Sequence, residues 1–322
     1  PPLQSQLTDT FVLFCLTHPC RSATWSTRIV RGAEGRPVAE FGARRAHGPE
    51  GALLGARASY IAGCAATACT MADQHYGSPA TGTMAHSWVQ MFPDEYTAFK
   101  TYCELYPTNA TLLVDTYNVL KSGVPNAIRA FKEVLAPMGI TKCGIRLDSG
   151  DLTYLSQTAR EMLDEAGLTE CKIIASNALD EYIIRDLVRQ GARIDSFGVG
   201  ERLITSRSEP VFGGVYKLVA IEDDEGNIIP KIKISENAAK ITTPHFKKVY
   251  RIFSRDTGKA EAELICLRDE AIDFTQPLEP FDPSATWKRK AYTNIELKEL
   301  LVPLFLTGKR GAEGPDTRDS TA

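Results

Sequence analysis

The feature that most constrains the fold is an alternation of short apolar runs and amphipathic segments between about Gly77 and Leu218. Four of the runs indicate buried strands, and a weaker fifth lies at Pro79–Thr83. The four are Thr111–Val114, Ile145–Leu147, Ile173–Ala175 and Ile194–Phe197. The segments between them carry apolar residues three and four positions apart, which is typical of helices packed on a sheet. This βαβα order predicts a parallel sheet, arranged as a barrel or as an open doubly wound sheet.

Residues suited to catalysis or ligand binding recur at the predicted strand ends. They are His86, Asp115, Asp148, Asn177 and Gly200, separated by 29, 33, 29 and 23 residues. The carboxyl ends of parallel strands share one face, where such folds place their active sites. We therefore expect these residues to approach one another.

Two strand-end motifs carry titratable groups. Gly82–Trp88 presents His86 after a Gly-Thr turn; a lone histidine is usually structural, but its place on the predicted catalytic face favours a function. Arg146–Asp151 presents two carboxylates, which suit sugar hydroxyls or a hydrated Mg²⁺ ion. Helix capping is the alternative explanation, so Asp148 is predicted to be functional and Asp151 mainly structural.

Two further motifs suit anionic or flat ligands. Ser196–Leu203 contains Gly198 and Gly200, whose backbone amides can surround a phosphate. Glu40–Ala46 places Phe41 beside Arg44 and Arg45, an aromatic ring next to two groups that bind carboxylate or phosphate. A solvated basic turn is the equally weighted alternative for this last motif.

The remaining chain divides around this core. We predict an irregular stretch at Thr17–Ser26, a strand near Val38–Phe41, a long helix from about Ala52 to Tyr76, and a hairpin of Tyr216–Ile221 with Lys231–Ile234. The predicted domains are an incomplete N-terminal part (1–76), an α/β barrel core (77–217), a β-rich C-terminal part (218–308) and a disordered tail (309–322).

Composition limits the classes of partner. With 37 Lys and Arg against 40 Asp and Glu, the formal charge of −3 argues against binding nucleic acid by bulk attraction. The apolar run Phe11–Leu16 is too short to span a membrane. Eight cysteines without a Cys-x-x-Cys pair favour a reducing compartment, so we expect a cytoplasmic protein. Because the chain opens on Pro1 rather than Met, we also expect a fragment.

Six ordered motifs together are more specific than any one of them. They are Phe41–Ala46, Gly82–Trp88, Val114–Tyr117, Arg146–Asp151, Ala175–Asn177 and Asp195–Gly200. In this order they closely resemble nicotinate phosphoribosyltransferases, over about residues 38–302.

The resemblance implies an irregular TIM-like α/β barrel of the type II phosphoribosyltransferases, joined to a smaller α+β domain and usually homodimeric. It implies formation of nicotinate mononucleotide and pyrophosphate from nicotinate and phosphoribosyl pyrophosphate, the first step of NAD salvage from nicotinate. Such ligase-class enzymes couple transfer to ATP hydrolysis through a phosphohistidine, with Mg²⁺ on the pyrophosphate.

Carried over by motif, His86 is the phosphorylated histidine, and Phe41 with Arg44 meets the nicotinate ring and carboxylate. Arg146 and Asp148 meet the ring edge and the ribose hydroxyls. The further substrate-binding residues implied are Arg45, Asp115, Ser176, Asn177, Gly198 and Gly200. Which residues hold a metal stays open.

The chain departs from the family pattern at three places. The family begins earlier, with a segment that brings an aromatic residue to the partner subunit's site, and its last segment is replaced here from Lys309. Cys64–Cys69 replaces a Gly-Thr-Ser-Asn-like turn, so a polar contact near Ala68 is expected to be missing. Three functions follow: an active nicotinate phosphoribosyltransferase, a non-catalytic or fragmentary phosphosugar-binding remnant, or another phosphate-binding barrel such as a lyase, which the His86 and Asp148 motifs disfavour.

Overall fold

The computed structural model describes residues 2–237, 240–273, 276–302, 305–306 and 309–310. It divides into two compact units, the first running to Gly214 and the second beginning at Val215.

The first unit holds the helices of the described chain. They are α1 Pro2–Gly32, α2 Pro49–Ile61, α3 Thr70–Tyr76, α4 His86–Gln90, α5 Glu95–Leu105, α6 Val124–Ala130, α7 Leu152–Glu165, α8 Glu181–Arg189 and α9 Glu201–Ile204. Two π-helical turns, Val119–Gly123 and Phe131–Leu135, flank α6. Short 3-10 turns occupy Ala43–Arg45, Pro107–Asn109 and Ala136–Met138.

A six-stranded parallel sheet forms the centre of the first unit. Its strands are β1 Val38–Glu40, β2 Ala66–Thr67, β3 Thr111–Leu113, β4 Gly144–Leu147, β5 Lys172–Ala175 and β6 Ser196–Val199, in the order β2-β1-β6-β5-β4-β3. Neighbours follow chain order, and the last strand, β6, pairs with the first, β1. This is the strand order of an α/β barrel opened at one seam, which confirms the predicted α/β class.

The seam lies between β3 and the segment that follows α3 and contains Ala80. Within that segment Ala80 makes a single parallel bridge to Thr67, where the sequence predicted a full strand at Pro79–Thr83. No ladder pairing joins this segment to β3 among the residues that the structure describes. Side chains cross the gap instead. Thr83 binds Arg146 of β4, and His86 binds Thr116, which follows β3.

The core of the first unit is centred on β4 and β5. Ile145, Leu147, Ile173 and Ala175 are all fully buried. Central strands of a parallel sheet are covered on both faces, which explains why they appear as nearly continuous apolar runs in the sequence.

The predicted irregular stretch at Thr17–Ser26 is wrong, because these residues lie inside α1. Pro19 removes one helix hydrogen bond, but packing against α2 holds the helix together. Ser26 in α1 donates a hydrogen bond from its Oγ to the Oγ of Ser59 in α2, at 2.9 Å.

The predicted helix from Ala52 to Tyr76 is interrupted. The chain leaves α2 through Gly63, whose φ of +102° lies in the left-handed region. It then forms β2, where Ala66 pairs with Ala39 and Thr67 with Glu40 of β1. Residues 1–76 thus contribute two strands to the same sheet as β3–β6, because strand pairing overrides the helix propensity of the alanines.

The second unit is built from antiparallel pairs. Its strands are β7 Ala220–Glu222, β8 Ile228–Pro230, β9 Lys247–Ser254, β10 Ala260–Leu267, β11 Phe281–Asp282, β12 Ala285–Arg289, β13 Ile295–Glu299, β14 Phe305–Leu306 and β15 Lys309–Arg310. β9 is the central strand of a three-stranded sheet, between β10 and β13. The others pair as β7 with β8, β11 with β12 and β14 with β15.

The predicted hairpin exists, but its strands lie closer to the turn than expected. They are β7 and β8, not Tyr216–Ile221 and Lys231–Ile234. The Asp223 carboxylate closes the turn by accepting hydrogen bonds from the backbone amides of Glu225 and Asn227, at 3.0 and 2.8 Å. Of the predicted tail 309–322, only Lys309–Arg310 lies within the described residues.

Among the described residues, no helix combines the length and the apolar character needed to cross a membrane.

Candidate active site

A cavity of about 490 Å³ opens at the carboxyl ends of the strands in the first unit. Its lining includes Phe41 and Arg44 after β1, His86 after the Ala80 segment, and Arg146 and Asp148 at the end of β4. Five residues from three sequence motifs therefore meet at one site, on the face that the strand order predicted.

Arg146 is the centre of the polar wall. In β4 it alternates with the core residues Ile145 and Leu147, so it points to the opposite face. Its Nε donates to the Oγ of Ser176 at 2.7 Å, and its Nη1 to the Oγ1 of Thr83 at 2.8 Å. Its Nη2 lies 3.0 Å from the Oδ1 of Asp148.

The four residues Thr83, Arg146, Asp148 and Ser176 form what we call the strand-end network. Ser176 also donates a hydrogen bond from its Oγ to the Oδ1 of Asp148. The Arg146 side chain is only 16% exposed, and all three of its guanidinium nitrogens have partners within the network. The charged groups of the network therefore satisfy one another within the protein.

His86, the first residue of α4, faces the same carboxylate. Its Nδ1 lies 3.1 Å from the Oγ1 of Thr116, and its Nε2 lies 3.8 Å from the Oδ2 of Asp148. The Thr116 hydroxyl orients the ring. The second nitrogen is left facing Asp148 and the cavity.

Asp115 lies behind the network, and its side chain is almost fully buried. Its Oδ2 accepts hydrogen bonds from the backbone N–H of Asp148, at 3.0 Å, and from the Oγ of Ser149, at 2.5 Å. Its Oδ1 is buried and has no hydrogen-bond partner in the described part of the chain. Asp115 lines a separate depression of about 370 Å³ together with Ser149 and Gly150.

Phe41 forms the apolar wall. Its ring centroid lies 5.5 Å from the Cζ of Arg146, a cation–π distance. The ring packs directly on Gly198, where an added Cβ would lie 2.5 Å from the Cδ2 of Phe41. At Gly200 an added Cβ would lie 3.1 Å from the Phe41 carbonyl oxygen. Both glycines thus make room for Phe41, and neither lines the cavity.

Arg44 is the unpaired cation of the cavity lining. Its residue is exposed, and the structure shows no hydrogen bond or ion pair for its side chain within the described residues. The adjacent Arg45 instead lies 4.0 Å from the Oε2 of Glu201 and does not line the cavity. We call the segment Phe41–Arg45 the aromatic turn.

Asn177 and Asp151 have local roles. Asn177 has a φ of +123°, and its Oδ1 accepts from the backbone N–H of Ala178 at 2.7 Å, outside the cavity lining. Asp151 caps α7 by accepting from the backbone N–H of Tyr154 at 3.1 Å, which confirms its predicted structural role.

The structure therefore gathers Phe41, Arg44, His86, Arg146 and Asp148 around one cavity, with Ser176 directly behind. The cavity lining does not include the other predicted residues, which are Arg45, Asp115, Asn177, Gly198 and Gly200.

Sequence reasoning gave no role to Thr83, Thr116 or Glu40. All three stand inside the motifs that it quoted, so their position was a signal. Their residue types carry little chemistry alone, and only the folded chain shows that Thr83 binds Arg146 and Thr116 binds His86.

Comparisons with known proteins point to one family. A family model described as the nicotinate phosphoribosyltransferase C-terminal domain matches residues 246–321. The chain is 47% identical to the nicotinate phosphoribosyltransferase of Bacillus subtilis over 99% of its own length and 64% of that protein's. It is 42% identical to one from Mycobacterium tuberculosis, over 99% of the chain and 61% of that protein.

A solved structure is also similar. The crystal structure of human nicotinic acid phosphoribosyltransferase has a TM-score of 0.81 at 26% identity, covering 99% of this chain and 70% of that one. The chain spans a little over three fifths of the length of the two bacterial relatives. From these similarities over nearly all of its length, the chain belongs to the nicotinate phosphoribosyltransferase family.

Proposed function

We propose that the protein forms nicotinate mononucleotide and pyrophosphate from nicotinate and phosphoribosyl pyrophosphate. The observation that carries this proposal is the convergence of a free Arg44, the Phe41 ring, His86 and the Arg146–Asp148 pair on one cavity. The names of the relatives support it, since each is a nicotinate phosphoribosyltransferase.

The pyridine acid fits the aromatic turn. A flat ring can stack on Phe41, and the unpaired Arg44 guanidinium can bind its carboxylate with two parallel hydrogen bonds. Ala68 lines the cavity where a polar side chain would otherwise assist, so recognition of the acid depends mainly on Arg44.

The strand-end network suits the transfer step. The pyridine nitrogen forms a bond to the ribose anomeric carbon as the bond from that carbon to the pyrophosphate oxygen breaks. Positive charge develops on the sugar, and the Asp148 carboxylate, fixed by Arg146 and Ser176, is in place to stabilise it and to bind ribose hydroxyls. No covalent bond to the protein is needed in this step.

Mg²⁺ fits a position in which the substrate, and not the protein alone, holds the ion. Among the described residues, no group of three or more His, Cys, Asp or Glu side chains is placed to hold a metal, so a complete protein cage is not formed. Asp148, on the cavity wall, is the carboxylate that would hold a Mg²⁺ ion brought by the pyrophosphate, and Asp115 behind it fixes the Asp148 backbone. When bound, the ion neutralises charge on the leaving group.

ATP coupling is assigned to His86. With Nδ1 hydrogen-bonded to Thr116, the Nε2 of a neutral ring carries a lone pair that can accept a phosphoryl group. The Nε2–P bond forms as the bond from the γ-phosphorus to the ADP oxygen breaks, and transfer to water later releases phosphate. Asp148, 3.8 Å from Nε2, stabilises the ring when the ring carries positive charge. This makes the proposed activity a ligase-class step of NAD biosynthesis.

The proposal extends to the location of the protein in the cell and to its oligomeric state. All eight cysteines are free thiols, which supports a cytoplasmic location. The proposal also includes the homodimer that the sequence resemblance implies.

The proposal is tested by assaying the purified chain with nicotinate, phosphoribosyl pyrophosphate and Mg²⁺. We expect the mononucleotide as product and its loss in Asp148→Asn. Asp151→Asn is the matched control, because asparagine also caps a helix and Asp151 lies outside the cavity.

Calorimetry separates turnover from binding. Asp148→Ala is expected to weaken binding of phosphoribosyl pyrophosphate, because Asp148 lines the cavity. Unchanged affinity in this variant would contradict the assignment. Tight binding by the wild-type chain without product would instead support the non-catalytic alternative.

A further inference from the structure

Glu40 is a fully buried acid next to the aromatic turn. It is the last residue of β1 and does not line the cavity. Its Oε1 accepts a hydrogen bond from the backbone N–H of Gly42, and its Oε2 accepts from the Oγ1 of Thr67 at 2.7 Å. Neutral donors alone compensate this carboxylate, because the ion pairs of the described residues do not include it.

These bonds join two segments that line the cavity. Gly42 lies inside the aromatic turn, between Phe41 and Arg44. Thr67 ends β2, and its Oγ1 also accepts from the backbone N–H of Cys69 at 3.0 Å. The Glu40 carbonyl oxygen accepts from the backbone N–H of Ala68 at 2.7 Å, and Ala68 lines the cavity. Glu40 is therefore the common anchor of both segments.

The turn is also held at its flanks, because the backbone N–H of Phe41 donates to the Val199 carbonyl at 2.8 Å and Ala43 packs against a small apolar cluster of α2 and α3. Glu40 is the side chain that binds the backbone of Gly42 between them. None of the three residues Ala43–Arg45 is buried. Gly42 fits tightly, since an added Cβ would lie 2.5 Å from the Cβ of Ile204 and 2.8 Å from the Oε1 of Glu40. The direction of the chain after Phe41, and with it the position of Arg44, depends on the carboxylate beneath it.

We propose that Glu40 is a positioning residue, which holds the aromatic turn in the geometry that binds a planar aromatic carboxylate. The ligand named in this inference rests on the proposed function. The effect of Glu40 on the order of the turn does not. A purely stabilising side chain of this size could be apolar, without the desolvation cost of a buried charge. Here the carboxylate is used for two directed hydrogen bonds.

The variants separate these bonds. Glu40→Met removes both acceptors at similar volume. Thr67→Val removes the bond from Glu40 to β2, together with the acceptor of the Cys69 N–H, and leaves the bond to Gly42. Glu40→Gln keeps an acceptor for Gly42. Glu95→Gln is the matched control, because Glu95 is also a buried acid with two donors, Ser122 and Asn126, away from the cavity lining.

Kinetics give the first measurement. Glu40→Met is expected to raise the KM for nicotinate about 10-fold or more, since small displacements of binding groups have large effects. The KM for phosphoribosyl pyrophosphate should change by less than about 2-fold, because the hydrogen bonds of the strand-end network include no residue of the aromatic turn. Glu40→Gln should restore most of the nicotinate affinity, and Glu95→Gln should change neither constant. Equal rises in both constants in Glu40→Met would overturn the proposal.

Hydrogen exchange gives a measurement that does not depend on activity. In peptides covering residues 41–46, protection should fall in Glu40→Met, fall less in Thr67→Val and remain in Glu95→Gln. If the wild-type chain does not turn nicotinate over, the proposed function fails, and exchange alone decides the role of Glu40. Wild-type protection of residues 41–46 in both Glu40→Met and Thr67→Val would disprove it.

Discussion

The two sides of the cavity differ in how their charges are satisfied. In the strand-end network, Arg146 and Asp148 are bound to each other and to hydroxyl groups. In the aromatic turn, Arg44 has no hydrogen-bond or ion-pair partner among the described residues. A preorganised network can stabilise charge that develops during reaction, whereas a free cation is available to bind a charge that the ligand brings.

The two sides also differ in their support. The network is attached to β4 and β5, whose core residues Ile145, Leu147, Ile173 and Ala175 are fully buried. The turn follows the three-residue strand β1, has the buried Glu40 carboxylate beneath it, and packs through Ala43 on a cluster of only four buried apolar residues. Substitutions in the network should therefore affect both folding and catalysis, and those in the turn mainly ligand selection.

The largest expected effect is that of Arg146→Ala. Removing this guanidinium leaves Asp148 without its cation, and we expect a loss of about 2–4 kcal/mol in unfolding free energy. Transfer should slow by roughly 1,000-fold, because the fixed carboxylate is lost. Urea unfolding followed by circular dichroism, together with product assays, measures both effects.

Arg44→Ala provides the comparison on the turn. An exposed, unpaired side chain should change the unfolding free energy by less than about 0.5 kcal/mol. Similar destabilisation by both arginine variants would show that the two sides do not differ as described.

The second expected effect concerns His86. Incubation with γ-labelled ATP should leave acid-labile, base-stable label on the protein, because phosphohistidine hydrolyses in acid and phosphoserine does not. His86→Asn should abolish the label and uncouple ATP from synthesis. Some ATP-independent transfer should remain, since the proposed transfer step relies on the strand-end network and not on His86.

The outcomes for His86 are distinct. Label that persists in His86→Asn would move the role to one of the other four histidines, which are His18, His47, His75 and His245. Complete loss of transfer in a folded variant would show that His86 contacts the substrate directly.

The difference between the two sides also explains what the sequence could predict. Strands β3–β6 were predicted within two residues at either end, because buried parallel strands have continuous apolar runs and charged residues at their ends. β2 was missed because its two residues, Ala66 and Thr67, stand in an alanine-rich run, and only pairing with β1 makes them a strand. α1 was partly missed because Pro19 suggested a break that packing against α2 overrides.

The site shows the same limit. His86, Asp148 and Arg44 could be proposed because their side chains are chemically distinctive and their motifs are ordered. The hydrogen bonds of Thr83, Thr116 and Glu40 could not, since they join residues 63, 30 and 27 positions apart in the chain, and no local pattern encodes such contacts.

Ligand selectivity gives the third expected effect. Arg44→Ala should lower the preference for nicotinate over nicotinamide by about 30-fold or more, since loss of a desolvated charge-assisted pair costs roughly 2–5 kcal/mol. Ratios of kcat/KM for acid and amide measure this preference. Arg45→Ala is the control, because Arg45 faces Glu201 and does not line the cavity. Equal turnover of acid and amide by the wild-type chain would contradict the role of Arg44.

The smallest expected effect is a pH dependence of stability in the turn. Burial raises the pKa of the Glu40 carboxyl above its ordinary value of 4.5, and the hydrogen bonds from Thr67 and Gly42 offset this only in part. The folded chain then holds the Glu40 proton more tightly than the unfolded chain. The stability that this proton contributes is present below pH 4.5 and is lost as the pH rises through the raised pKa.

Glu40→Gln cannot titrate, so its unfolding free energy minus that of the wild type should increase from pH 4.5 upward, by at most about 1.4 kcal/mol per pH unit, and then level off. Subtracting the wild-type value cancels the contribution of the other acids, which both proteins share. The neighbouring Cys64 does not titrate in this pH range, because burial and the Glu40 charge raise the pKa of its thiol to about 12. Urea unfolding of both proteins at several pH values from 4.5 to 8 gives this difference, and a constant value throughout would show that Glu40 has the same proton affinity in the folded and unfolded chains.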